Sequence, residues 1–230
     1  MKVTLKSITP NAEVNIVEIA RVSSSRTDKT EKPEGLINYL IKNRHWSPFQ
    51  HSYLTFEIET SKAIGIQLLR HLSFTFQEFS QRYAVVEKME DIEFRKQAEK
   101  NRQSSTDTIG QIVQVDGSLR IDMDELDNIL ITNWLEKVAR NLQTTFELYQ
   151  EGIELGIAKE CARMILPMAT QTKIYMTGSV RSWIHMLDIR DDSHAQKEIQ
   201  LIAKEIKKLF INELPIISNA LNWTNGTGKR

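Results

Sequence analysis

A group of polar side chains between residues 67 and 71 has types and spacing that suit an anionic ligand. Gln67, Arg70 and His71 are three and four residues apart, so they would share one face of a helix. A guanidinium binds a phosphate through two parallel hydrogen bonds, and neighbouring polar groups add further donors. The spacing therefore predicts a cationic face that binds an anion.

Three more polar side chains follow at every second position. Glu78, Ser80 and Arg82 alternate, so an extended segment would direct all three to the same side. A second guanidinium and a hydroxyl strengthen the prediction of anion binding. The same residues also fit a solvated surface on which Arg82 pairs with Glu78, and chemistry alone leaves both interpretations open.

A lone arginine lies near the end of a predicted short helix, in the segment Glu160-Cys-Ala-Arg163-Met-Ile-Leu-Pro167. Apolar residues flank Arg163 on its C-terminal side. An arginine in this setting is more often a surface side chain whose stem covers apolar neighbours, or a favourable charge at a helix C-terminus. Ligand binding is the alternative interpretation.

The segment 179–196 predicts a helix with a polar front. At about 100° per residue, Arg181, His185 and Asp188 fall on one side of this helix. Apolar residues occupy the opposite side, and the polar front ends at Arg190. An ordinary amphipathic helix has the same pattern, so ligand binding again stays one of two interpretations.

His185, His194 and Glu198 are the residues that would suggest a metal site. Their spacing does not match the known ligand patterns, and no aspartate or cysteine completes a set. We therefore expect no bound metal.

The composition suits one large domain. The 230-residue chain is 40% apolar and 26% charged, which is enough apolar sequence for a sizeable core. We expect a catalytic domain over residues 1–220 and a flexible tail over residues 221–230. Lysine plus arginine equals aspartate plus glutamate at 30 each, whereas a general nucleic-acid binder is usually basic.

The cysteine content and the absence of targeting features predict a cytoplasmic protein. Cys161 is the one cysteine, so no internal disulfide can form. Its neighbours are mostly apolar, and we expect its thiol to pack as a small hydrophobe. Residues 1–10 lack the apolar core of a signal peptide. No stretch approaches the roughly 18 apolar residues of a membrane span, so we expect no membrane partner.

The helices and strands that must position these residues follow from periodicity and capping. In the first half of the chain, the predicted elements are short strands, or a strand and a turn, over 2–6 and 14–19, a helix over 34–43, a half-buried strand over 54–58 and a helix from Ser61 to about His71. An irregular or extended stretch over 73–83 follows, and then a small hairpin within 100–125 that turns at Asp116-Gly117. The second half is predicted to contain a long helix over 125–151, short helices over 159–166 and 179–189, and a last helix capped by Ser193. The apolar stripe expected on the long helix is Ile129, Leu130, Trp134, Val138, Leu142 and Phe146. Several helices with a few strands predict an α+β domain.

Taken together, these segments resemble the flavin-dependent thymidylate synthases. The signature of that family is Arg-His-Arg, seven residues, Ser, one residue and Arg. Its matches here, at the same spacing, are Arg70-His71-Leu72, Ser80 and Arg82, flanked by Gln67 and Tyr83, which also fit the family.

Further segments resemble the same family in the same order. Ala162-Arg163-Met-Ile-Leu-Pro167 is similar to Ala-Arg-hydrophobic-hydrophobic-Leu-Pro, and residues 187–196 are similar to Leu-x-x-Arg-x-Asp-Ser-His-Ala-Gln. Ser47-Pro-Phe-Gln-His51 resembles another family element. The resemblance covers most of residues 20–210, and motifs in the correct order do not arise readily by chance.

Leu72 departs from the family pattern, because the family has an arginine there. The departure removes a cation near the expected flavin position, a loss that is tolerable where the family contacts the flavin through backbone atoms. Ser179 and His185 stand where asparagines are common in the family, and both side chains can still hydrogen-bond.

The resemblance implies a fold and a reaction. The fold would be α+β, with mixed helices and a small, largely antiparallel sheet. The enzyme would methylate dUMP to dTMP reductively, with methylenetetrahydrofolate as the carbon donor, FAD as the cofactor and NADPH as the reductant. It would be a homotetramer with active sites shared between subunits and with no nucleic-acid partner.

The resemblance also implies roles for individual residues. The positions that match dUMP-binding residues are Gln67, Arg70, Glu78, Ser80, Arg82, Arg163 and Arg190. The positions that match residues near FAD are His51, Arg70, His71, Leu72 through its backbone, Glu78, Ser179, Arg181 and His185. Arg190 matches the catalytic arginine credited with activating the uracil, since a guanidinium near N3 and O4 stabilises negative charge that develops on the ring.

Two other functions fit part of the sequence. A module that binds RNA or single-stranded DNA would use the arginines of the same clusters for phosphates and would stack bases on Phe74, Phe76 and Trp183. The zero net charge and the apolar setting of Trp183 disfavour that function. The second alternative is another flavin- or folate-dependent methyltransferase, acting on uracil in RNA.

Overall fold

The computed structural model describes residues 1–23, 32–122 and 129–223 of the chain. The strands in these ranges are β1 (Lys2–Ile8), β2 (Tyr53–Ser61), β3 (Phe74–Glu78), β4 (Ile92–Gln97), β5 (Ser105–Val115), β6 (Ser118–Asp122) and β7 (Gln171–Ser179). The α-helices are α1 (Ala12–Ala20), α2 (Pro33–Lys42), α3 (Lys62–Leu68), α4 (Ile129–Glu154), α5 (Lys159–Ala162), α6 (Val180–Arg190), α7 (Lys197–Glu213) and α8 (Pro215–Ala220). This mixture of helices and strands confirms the predicted α+β class.

One sheet has the strand order β1-β2-β7-β3. β2 and β7 run antiparallel, because the Thr55 and Thr177 hydroxyls are 2.9 Å apart and the Tyr175 hydroxyl donates to the Glu57 carboxylate. Every second residue of β2 from 54 to 60 is buried, and the residues between them are partly exposed. The predicted half-buried strand is therefore confirmed.

The chain separates into two compact units. The first unit comprises Met1 and residues 59–70 and 78–174, in their described parts, and the second comprises the described parts of 2–58, 71–77 and 175–230. The single catalytic domain over 1–220 stays a prediction, and most of the predicted tail, residues 224–230, lies outside the described residues. Within the described ranges, we find no helix with both the length and the apolar character needed to cross a membrane.

The first unit contains an antiparallel sheet in the order β4-β5-β6. Asp116 and Gly117 join β5 to β6 with φ angles of 50° and 81°. Two consecutive residues in the left-handed region form the tight turn that matches the twist of a hairpin. The predicted turn and hairpin are confirmed, and β4 adds a third strand that the sequence did not indicate.

The long helix α4 confirms only the second half of its predicted stripe, where Phe146 is buried and Leu142 packs against the same cluster. Ile129, Leu130 and Trp134 are exposed, whereas the buried residues of α4 are Leu135, Ala139, Phe146 and Tyr149. The predicted stripe advanced four residues at a time, and each such step rotates about 40° around the helix. Over several turns the rotation carried its first members off the buried face. The start of the predicted helix, residues 125–128, lies outside the described residues.

The core of the second unit is built around Trp183 of α6. Its ring is fully buried and meets the Phe56 and Phe74 rings edge-on, with centroids 4.8 Å and 4.6 Å away. The indole Nε1–H donates to the Leu54 carbonyl at 3.1 Å, so the ring's polar atom is also satisfied. The predicted apolar back of α6 is confirmed.

Residues 14–19 form part of helix α1 rather than the predicted strand or turn. Ala12, Ile16 and Val17 are its buried residues, and their spacing places them on one face of a helix. The β-branched residues of this segment favour a strand by local propensity alone. Burial of that helical face overrides the propensity.

Two predicted helix ends are also corrected. Ser61 caps α3 as predicted, because its hydroxyl accepts a hydrogen bond from the Ile64 amide at 3.4 Å, but the helix ends at Leu68 and not near His71. α7 begins after Gln196 rather than at Ser193. An ion pair of 2.7 Å between Lys207 and Asp191 holds the preceding segment, which ends in a turn instead of extending the helix.

Gly178 in β7 permits the close packing of Phe74. A Cβ atom built on Gly178 would lie 2.4 Å from two carbons of the Phe74 ring. We expect Gly178→Ala to lower the free energy of unfolding by about 1–3 kcal/mol, the usual range for overpacking a core. Gly35→Ala in α2 is the control, because nothing lies within 4 Å of its Cβ position and alanine favours a helix. Equal urea midpoints for the two variants would contradict this account.

Candidate active site

The polar front of α6 lines a cavity of about 710 Å³ in the second unit. Arg181, His185 and Asp188 all line this cavity, so the predicted polar front is confirmed. Ser179 begins the helix, because its hydroxyl accepts a hydrogen bond from the Ser182 amide at 3.2 Å. Ser179 is one of the residues predicted near FAD, and this hydrogen bond also gives it a structural role as the N-cap of α6.

Other walls of the cavity come from residues that the sequence reasoning missed. Arg44, Trp46 and Gln50 line it together with Ser73. The sequence offered one signal, the segment 47–51, but its resemblance pointed to His51. His51 is exposed, and its carbonyl accepts a hydrogen bond from the Asn15 side chain at 3.3 Å.

His71 and Arg190 form a direct contact in the second unit. The Arg190 Nε–H donates to His71 Nε2 at 3.0 Å. A guanidinium has no acceptor, so His71 Nε2 must be unprotonated and the neutral ring carries its proton on Nδ1. The structure therefore brings together two residues that the sequence placed 119 positions apart.

The surroundings of His71 keep its ring neutral. Burial, the Arg190 guanidinium and His185 together lower the pKa of His71 from 6.5 to about 4. Burial is the first cause because desolvation disfavours the charged imidazolium, and the nearby cation disfavours it further. At neutral pH the histidine is thus a hydrogen-bond acceptor for the arginine.

Glu78 is held by a cation and a hydroxyl in the first unit. The Lys62 ammonium lies 2.7 Å from Glu78 Oε1, and the Thr172 hydroxyl donates to the same oxygen at 2.9 Å. Gly65 lies beside this contact, and a Cβ atom there would be 3.6 Å from Glu78 Oε1. The carboxylate is therefore fixed in place before any ligand binds.

The stretch 73–83, predicted to be irregular or extended, is part strand and part turn. β3 ends at Glu78, and the Ser80 carbonyl accepts hydrogen bonds from the Tyr83 and Ala84 amides at 3.1 and 3.0 Å, which makes a turn. Glu78 and Arg82 therefore do not alternate along one strand. The alternative pairing of Arg82 with Glu78 is also wrong.

The partner of Arg82 is Glu160, at 3.4 Å, and both side chains are more than half exposed. An exposed pair of this kind contributes little to stability. It does place Arg82 beside α5, the helix that leads into Arg163. Two arginines predicted to bind one anion therefore lie on adjacent segments of the first unit.

The remaining predicted residues differ in exposure. Gln67 and Arg163 are half-buried, whereas Arg70 is exposed and Leu72 is 94% exposed. The first unit holds Gln67, Arg70, Glu78, Ser80, Arg82 and Arg163, and the second holds His51, His71, Leu72, Ser179, Arg181, His185 and Arg190. Apart from Arg190, the residues matched to dUMP all belong to the first unit.

Cys161 is exposed, so the prediction that it packs as a small hydrophobe is wrong. Its neighbour Ala162 is the buried residue of α5, because that side chain joins the cluster around Phe146 and Tyr149. Helix rotation then directs the cysteine outward. Across the described residues, no group of three or more histidine, cysteine, aspartate or glutamate side chains could hold a metal ion.

The cavity in the second unit is concave and lined by a few convergent polar side chains, features that are typical of small-molecule sites. The family described as thymidylate synthase complementing protein matches residues 4–216. The chain therefore belongs to the thymidylate synthase complementing family, the flavin-dependent thymidylate synthases, and the predicted family and enzyme class are confirmed.

Several relatives are similar over almost the whole chain. A probable flavin-dependent thymidylate synthase of Paramecium bursaria Chlorella virus 1 is 41% identical, over 92% of this chain and 91% of its own length. A flavin-dependent thymidylate synthase of Synechocystis is 41% identical, over 90% of this chain and 88% of its own length. One from Thermosipho melanesiensis is 33% identical, over 88% and 82%.

The His71 ring should titrate far below an ordinary histidine. We expect an NMR titration to place its pKa near 4, and Arg190→Gln to raise that pKa because the variant removes the adjacent cation. Since the folded-state pKa is lowered, His71 contributes stability above pH 6.5 that is lost as pH falls from 6.5 towards 4. A His71 pKa near 6.5 in the wild-type protein would contradict this description.

Proposed function

We propose that the chain methylates dUMP to dTMP, with methylenetetrahydrofolate as the carbon donor, FAD as the cofactor and NADPH as the reductant. The observation that carries the proposal is the His71–Arg190 pair at 3.0 Å, which joins the first family motif to the third. The names of the relatives support a thymidylate synthase activity that depends on a flavin.

The residues proposed to hold FAD are His51, Arg70, His71, the Leu72 backbone, Glu78, Ser179, Arg181 and His185. The cavity fits a dinucleotide in size, since ligand pockets span about 300–1,000 Å³. Arg181 and His185 suit a diphosphate, and Trp46 supplies an apolar wall. The flavin would supply the redox chemistry, while the protein binds and orients the reactants.

The residues proposed to hold dUMP are Gln67, Arg70, Glu78, Ser80, Arg82, Arg163 and Arg190. Arg82 and Arg163 on adjacent segments suit the phosphate, because guanidinium groups bind phosphate through paired hydrogen bonds. Arg190 is the proposed catalytic residue. Its guanidinium would stabilise negative charge on the uracil ring as the ring accepts an electrophile or a hydride.

We propose a homotetramer with shared active sites. Leu72 is 94% exposed, Tyr83 83%, Met164 80% and Leu130 79%, and a subunit interface that covered these side chains would remove their apolar surface from water. Leu72 lies within the signature motif, Tyr83 follows it, and Met164 follows Arg163. An assembly that covers these side chains would bring a second subunit to the motifs.

The nucleic-acid alternative is less well supported. Trp183 is fully buried and Phe74 is 9% exposed, so neither ring offers a face for stacking a base. Uracil in RNA remains a substrate to test directly.

The deciding measurement is tritium release from dUMP labelled at C5, with and without methylenetetrahydrofolate and NADPH, and in parallel from uracil-labelled RNA. We expect release from dUMP that requires both co-substrates. Arg190→Ala should lower the rate by about 10²–10³-fold, the usual loss for a charge-stabilising donor. Cys161→Ala is the control, because the thiol is exposed and the proposed reaction needs no cysteine adduct; its rate should stay within about tenfold. Normal turnover by a folded Arg190→Ala protein would refute the assigned role.

Leu72→Arg restores the residue that is usual in the family. The side chain at this position is 94% exposed in the single subunit, so an arginine displaces no atom of its own chain. We expect equal or tighter FAD binding, measured by flavin fluorescence, because a cation is added near an anionic cofactor. Leu72→Ala is the matched control and should leave FAD affinity unchanged, since only the Leu72 backbone is assigned to FAD. Weaker binding in the arginine variant would mean that the site is adapted to leucine.

A further inference from the structure

We propose that His71 is a positioning residue that fixes the plane of the Arg190 guanidinium through an accepted hydrogen bond. The inference deepens the proposed function and rests on it, because it concerns how Arg190 is presented to the uracil. No direct contact between His71 and the uracil is required.

The atoms that meet explain how one hydrogen bond sets an orientation. His71 Nε2 accepts from Arg190 Nε at 3.0 Å. Nε is the inner nitrogen of a planar group, so fixing it together with the side-chain stem also fixes the directions of both terminal nitrogens. The contact at Nε therefore suits orientation rather than simple charge pairing.

A series of packed rings holds His71 itself. The His71 and Phe74 rings meet edge-on, with centroids 6.1 Å apart, and the Phe74 amide donates to the His71 carbonyl at 3.1 Å. Phe74 in turn packs on Trp183 and against the backbone of Gly178. The acceptor nitrogen is thus connected to the core of the second unit.

The charge state of the ring is what makes histidine suitable here. The charged and titratable groups that face His71 are Arg190 and His185, both on α6, and together with burial they favour the neutral imidazole. A lysine at position 71 would bring a second cation against Arg190 and offer no acceptor. Protonation of His71 would likewise break the contact.

The test compares His71→Gln, whose amide oxygen can accept from Arg190, with His71→Leu, which cannot. We expect His71→Leu to lower the single-turnover rate of dTMP formation at least about tenfold, or 1.4 kcal/mol, with a smaller change in KM for dUMP. His71→Gln should recover most of that rate. The acid limb of the wild-type rate profile that belongs to His71 should vanish in His71→Gln, since an amide does not titrate.

A second measurement needs no turnover. In the ligand-free protein, NMR should detect a slowly exchanging Arg190 Nε–H in the wild type and in His71→Gln, and its loss in His71→Leu. If the wild type forms no dTMP, the proposed function fails, while this comparison still tests the contact. If His71→Leu does not fold, the inference is tested with the wild type and His71→Gln alone. Both proteins should show the slowly exchanging Arg190 Nε–H, and the acid limb of the rate profile should be present only in the wild type.

Three results would overturn the inference. The first is a folded His71→Leu protein with the wild-type rate. The second is a His71→Gln protein that is as slow as His71→Leu. The third is a loss of FAD affinity that accounts for the whole loss of rate, which would make His71 a flavin-binding residue only.

Discussion

The packing of the Phe74 ring against Gly178 and Trp183 fixes the position of the site in the second unit. Gly178 has no Cβ, and a Cβ there would lie 2.4 Å from the ring, so the ring rests on the backbone of β7. The Trp183 ring meets the Phe74 ring edge-on, with the two ring centroids 4.6 Å apart. The turn before β3 carries His71, and α6, which contains Trp183, carries Arg190. One buried contact therefore sets the separation of the two residues.

The His71–Arg190 pair restricts the His71 ring to its neutral form in the folded protein. A histidine in water near neutral pH can take either form, and the site removes that choice by burial and by placing a cation beside the ring. The unfolded chain has no such restriction, so the pair weakens the folded state as pH falls. Groups perturbed in this way concentrate at functional sites.

The sequence predicted most reliably the features that depend on local pattern. The alternation of β2, the polar front of α6, the cap at Ser61 and the turn at Asp116-Gly117 each depend on residues close in the chain, and all are present. The order of the sequence motifs predicted the family. These features need no knowledge of distant partners.

The errors arose where distant packing decides. Burial against other elements makes residues 14–19 helical, and the cluster around Tyr149 sets which side of α4 and α5 is covered, so Leu130 and Cys161 are exposed. Glu78 takes Lys62 and Thr172 as partners, and Arg82 takes Glu160. Charge type predicted that these groups would pair, but only the fold specifies with which partner.

Zero net charge is compatible with a few basic side chains at one site, because lysines elsewhere in the chain are matched by carboxylates. On α6 the polar front carries Arg181, His185 and Asp188 within one cavity, and Arg190 follows at its end. Elsewhere lysines are matched by carboxylates, as in the pairs Lys173–Glu59 at 3.0 Å and Lys207–Asp191 at 2.7 Å. A long polyanion needs an extended cationic surface, whereas a mononucleotide or dinucleotide needs only a few fixed donors. A few basic side chains at one cavity therefore suit the small phosphorylated ligands proposed above better than they suit a nucleic acid.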